Sequence, residues 1–82
     1  MSSEITNLRG RLAHAEKLQH ALQVGIDCDI DEIRSMADKY EPKVELKSDR
    51  IVVVADRLHN QVVQLRKMTD QIRSIKKDLG EE

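Results

Sequence analysis

Apolar residues recur every three and four positions in two blocks, and the chain's only proline, Pro42, lies between them. In the second block Ile51, Leu58, Leu65, Ile72 and Leu79 hold the a positions of a heptad, with Val54, Gln61, Met68 and Ile75 at d. Eight of these nine are apolar, which is the pattern of a coiled-coil helix. The first block places Ile5, Leu12, Gln19, Ile26, Ile33 and Tyr40 at a, and Leu8, Ala15, Leu22, Asp29 and Met36 at d. Continued through 47, its register would put an a position at 54, whereas the second block has Val54 at d. The two blocks are therefore separate helices.

Pro42 disfavours helix at Glu41 and removes a backbone donor, so helix one should stop near Tyr40. Ser48 or Asp49 is suited to cap the second helix. In an antiparallel hairpin, facing residues have numbers that add to a constant. Leu8 with Leu79, Leu12 with Ile75, Leu22 with Leu65, Ile33 with Val54 and Met36 with Ile51 all add to 87, which centres the hairpin between Lys43 and Val44. The predicted fold class is all-α, an antiparallel two-helix coiled-coil hairpin in a single domain. Helix one is expected over about residues 3–40, the loop over about 41–48 and helix two over about 49–79.

With no Phe, no Trp and Tyr40 alone in 82 residues, a core of large aromatic side chains is excluded. A two-helix hairpin buries one stripe per helix, and chains this small usually need further support. The predicted seam is Leu8, Leu12, Leu22, Ile26, Ile33, Met36, Ile51, Val54, Leu58, Leu65, Met68, Ile72, Ile75 and Leu79. Leu18, Ile30, Val52, Val53, Val62 and Val63 lie beside it or further round. The stretch Ile51–Ala55 is apolar on every face of a helix, which signals burial from more than one side. Partner helices, from a second copy or from other subunits, are expected to complete a four-helix or larger bundle.

Several function classes fall away. A net charge of −1 argues against a general electrostatic grip on nucleic acid. No apolar run approaches the ~20 residues that cross a bilayer. The opening residues lack the pattern of a secretory signal, and Gly80-Glu81-Glu82 carries no lipidation motif. One cysteine, Cys28, makes no intrachain disulfide, so an intracellular location, cytoplasmic or nuclear, is expected.

Gly25-Ile-Asp-Cys-Asp-Ile-Asp-Glu32 is the least regular segment. Asp27, Asp29 and Asp31 alternate like the first ligands of a calcium loop, but Glu32 and Asp38 stand where glycine and glutamate are required. The simpler reading is a kink or restart, with Asp29 and Glu32 as a capping box. Alternatively helix one runs straight through, Asp29 faces Leu58, and Arg57 or His59 supplies a partner for its charge. Gln19 and Gln61 are the milder polar positions of the seam, of the kind that fix register.

Catalytic and metal constellations are missing from the sequence. Ala55-Asp56-Arg57-Leu58-His59-Asn60 resembles a short stretch of the metal-dependent HD-type hydrolases that act on guanosine tetraphosphate. That family also needs a separate His and an adjacent His-Asp pair, and no His here precedes Asp. Asp56 and Asn60 therefore read as outer-face helical residues. His14 and His20 lie about 240° apart round a helix, and no second Cys completes a zinc site. Cys28, between Asp27 and Asp29, is a poor nucleophile and reads as a small apolar space-filler. No glycine loop cradles a phosphate. No enzyme activity, cofactor or small-molecule substrate is expected.

Charge is uneven. From Asp27 to Glu41 there are six acids against Arg34 and Lys39, and from Arg57 to Lys77 six bases against Asp70. In the hairpin the acidic stretch lies by the loop, while Arg66, Lys67, Arg73, Lys76 and Lys77 sit at the open end. The simpler expectation is that this pattern serves solubility and surface ion pairs; the sharper one is that it orients partner subunits. The functional expectation is a non-catalytic structural or adaptor subunit that assembles a multi-subunit complex through coiled-coil packing. The alternative is a homodimeric four-helix-bundle regulator that binds a protein or nucleic-acid target through its basic end.

Overall fold

A computed structural model describes residues 2–80. Two long helices, α1 (Ser2–Met36) and α2 (Ser48–Leu79), pack side by side as a hairpin, with a short 3-10 turn at Lys43–Glu45 between them. The molecule is a rod of 64 × 18 × 14 Å.

Helix α1 ends at Met36, four residues short of the end expected from the heptad. Asp38 explains the early stop: its carboxylate accepts a hydrogen bond from the Tyr40 backbone N–H at 2.9 Å. Such local side-chain bonds offer the backbone an alternative to the helix. The Glu41 N–H then bonds the Asp38 carbonyl at 3.2 Å, and Pro42 follows. Tyr40, assigned to an a position, consequently lies outside the helix and is 85% exposed. Ile5, at the other end of the same register, is also exposed.

Neither Ser48 nor Asp49 caps α2. The capping position is Lys47, without a side-chain cap, and the Ser48 N–H is already turned back onto the Leu46 carbonyl at 2.9 Å. That tight turn satisfies one of the free backbone donors at the start of the helix. At the far end Gly80 adopts φ 75°, and its N–H bonds the carbonyls of Lys76 and Lys77. This left-handed glycine termination satisfies the last carbonyls of the helix.

The segment from Gly25 to Asp31 is continuous helix, so the restart and its capping box do not form. Gly25 has a packing role instead. A methyl group there would stand 3.1 Å from the Gln61 amide nitrogen, so the glycine makes room for that side chain. Cross-helix partners obey the predicted register: Gly25 with Gln61, Asp29 with Arg57, and Gln19 with Thr69 each add to within one of 87.

Candidate interaction surface

The seam is only partly closed. Of its predicted residues, Val54, Ile72 and Ile75 are buried; the other eleven, from Leu8 to Leu79, are half-buried. Ala15 is the fourth buried apolar residue. The residues beside the seam are more open still: Ile30, Val62 and Val63 are half-buried, and Leu18, Val52 and Val53 are exposed. Within Ile51–Ala55, only Val54 is buried.

A compact monomer of this mass exposes about 5,000 Å², whereas this chain exposes 6397 Å². Its radius of gyration is 18.4 Å, against about 12 Å for a compact chain of the same length. The excess surface follows from the shape, because two parallel rods touch along one line and leave their flanks open.

One opening on those flanks is a groove of about 370 Å³ between the helices, and another of about 360 Å³ is lined by Gln19, Thr69, Ile72, Arg73 and Lys76. The floor of the first is Leu18, Ala21, Leu22 and Met68, and its rim is Gln64, Lys67 and Gln71. A shallower hollow continues it toward the open end, sharing Leu18, Met68 and Gln71 and adding Arg11, His14 and Ile75. Unlinked to this groove, Tyr40, Val44 and Leu46 are exposed in the loop. The Lys39 ammonium lies 5.1 Å from the Tyr40 ring centre, a cation–π contact at the tip.

A polar knot interrupts the seam nearer the loop. Asp29, at a d position, is only 3% exposed. Arg57 donates to it three times: Nη2 to Oδ1 at 2.6 Å, Nε to Oδ1 at 3.1 Å and Nε to Oδ2 at 3.2 Å. Arg57 also reaches Glu32 at 3.1 Å, and Arg50 bonds the other Glu32 oxygen at 2.9 Å. Of the two partners named for Asp29 in the sequence, Arg57 fills the role. Glu32 and Arg50 were not anticipated. The signal for Glu32 was its place three residues after Asp29, on the same side of the helix.

Hydrogen bonding and the charge of Asp29 raise the Arg57 pKa above its already high ordinary value. A base whose pKa rises on folding contributes stability that is complete below its unfolded value and is lost only as pH climbs through the folded one. From the guanidinium side the knot is thus intact through the whole ordinary pH range and opens only in strong alkali.

The other polar seam residues differ. The Gln19 amide donates to Thr69 Oγ1 at 3.3 Å, while the buried Gln61 Oε1 has no partner among the described residues. Cys28 is exposed rather than filling space, because it lies one position from the seam residue Asp29 and turns outward. Among the described residues, no group of three or more His, Cys, Asp or Glu is placed to hold a metal ion. No described helix is long and apolar enough to cross a membrane. No protein-family model, curated protein or solved structure matches the chain.

Proposed function

We propose that this chain is a non-catalytic structural or adaptor subunit of an intracellular coiled-coil assembly, in which helices of partner subunits complete the half-closed seam. The observation that carries the reading is the incomplete burial of eleven predicted seam residues beside exposed Leu18, Val52 and Val53. Apolar area left in water is worth about 25 cal/mol per Å² once covered, and a chain with four buried apolar residues among those described has much to gain from a second layer. Contiguous apolar surface rimmed by polar groups is typical of protein-binding faces. The polar positions give such packing its register: the knot of Asp29, Arg57, Glu32 and Arg50 tolerates one alignment of the two helices, as buried polar seam residues do in coiled coils.

The test is the sedimentation of the native chain in extract from cells that make it. It should travel in an assembly several times heavier than 9.4 kDa, and Leu18→Asp should shift it to lighter species. A native chain that sediments as a free monomer, with or without that substitution, contradicts the reading.

A further inference from the structure

We infer that the occupant of the Leu18–Met68 groove is a second copy of this chain, packed head to tail across a two-fold axis. The inference rests on the helix-docking reading above and names the partner for one face.

The position of the groove is the first argument. Helix α1 runs from Ser2 to Met36, so its midpoint falls at Gln19. Leu18 and Leu22 flank that midpoint, and Met68 faces them from α2. A two-fold interface uses the same patch on both subunits, and residues near the axis meet their own copies. With the axis perpendicular to the rod at its middle, Leu18 and Met68 of each copy enter the groove of the other. Any patch far from the middle would pair only the ends of two rods and leave most of each uncovered.

Charge fixes the direction. The loop half, residues 22–65, holds nine acids and six bases, a net of −3; the remainder holds six acids and eight bases, a net of +2. Head-to-tail packing lays each negative half on the positive half of the other copy, whereas packing with both loops together stacks like on like. Charge complementarity of this kind selects orientation.

Area agrees. The chain exposes about 1,400 Å² more than a compact monomer of its mass, 6397 Å² against about 5,000 Å². A stable interface covers about 800 Å² on each partner, so one such contact fits within the excess.

The experiment uses the full 82-residue chain. Light scattering should give about twice 9.4 kDa. Leu18→Asp, at a position 40% exposed in the single hairpin, should halve that mass while leaving the chain helical. Val24→Asp, outside the groove and 49% exposed, should keep the dimer. Spin labels at Ser35→Cys in a Cys28→Ser background should lie about 50 Å apart head to tail, and under about 25 Å apart if both loops share one end. A monomeric parent chain overturns the second copy as partner. A dimer indifferent to Leu18→Asp overturns the groove, and a short label distance overturns the direction. Each of these outcomes leaves the assembly reading to be judged separately, on the native chain's sedimentation in extract.

Discussion

Ile72→Asp unfolds the hairpin. Ile72 is 7% exposed and is one of four buried apolar residues among those described, with Ala15, Val54 and Ile75. The substitution removes a buried aliphatic side chain and places a charge in the seam, with Arg73 and Lys76 at the flank of the hollow that Ile72 lines. Loss of the aliphatic group alone costs about 2–5 kcal/mol, and that loss carries the prediction. A single core of this size supplies about 3–5 kcal/mol in all. Far-ultraviolet circular dichroism of the variant should therefore report loss of most helix at 25 °C. Asp56→Ala, on the exposed outer face of α2, should change stability by no more than about 0.5 kcal/mol. Retention of full helicity in Ile72→Asp would place the core elsewhere.

The second large effect separates two members of one ion pair. Arg57→Ala leaves the Asp29 carboxylate, 3% exposed, without the three hydrogen bonds that satisfy it. A buried acceptor stripped of its partners costs about 1–3 kcal/mol, which is about 5–15 °C in melting temperature for a chain this small. Asp29→Leu removes the buried charge itself and extends the apolar seam. Arg57 is half exposed and keeps Glu32 at 3.1 Å, so it loses little. Replacing a buried charge by an apolar group is often neutral or stabilising. Thermal melts of the two variants should thus move apart, Arg57→Ala downward and Asp29→Leu unchanged or upward. Equal losses in both would mean that the pair contributes net stability rather than alignment.

The contrast between these residues indicates what a heptad pattern reveals. Val54, Ile72 and Ile75 were legible as core because period and burial coincide there, and the constant of 87 set Asp29 opposite Leu58, one residue from its partner Arg57. Helix ends were less legible. Tyr40 fits the heptad, yet one side-chain bond from Asp38 to its N–H ends α1 sooner, and a bond of that kind leaves no trace in apolar periodicity. Ser48 and Asp49 look like caps by residue type, but the turn from Leu46 satisfies the backbone first.

Gly25 shows the same limit from the other direction. In sequence it reads as a weak point, since glycine in a helix interior costs about 1 kcal/mol against alanine. In the fold it admits the Gln61 side chain, a contact between residues far apart in the chain. The interaction surface divides similarly. Leu18, Val52 and Val53 were identifiable as apolar residues off the seam, whereas the groove depends on how Leu18, Leu22 and Met68 sit relative to one another across two helices. Its central position along the rod emerged only once the end of α1 was known.

The central claim is that a second helical layer, which a second copy of the chain can supply, completes this hairpin. The most direct test is thermal unfolding of the purified chain, followed by circular dichroism at two concentrations a hundredfold apart. A dimer that unfolds to separate chains loses about 2.7 kcal/mol on that dilution, so its midpoint should fall by about 8 °C. A sharp transition at the same temperature in both samples would mean that the purified hairpin stands alone, and it would contradict the second copy as the source of that layer.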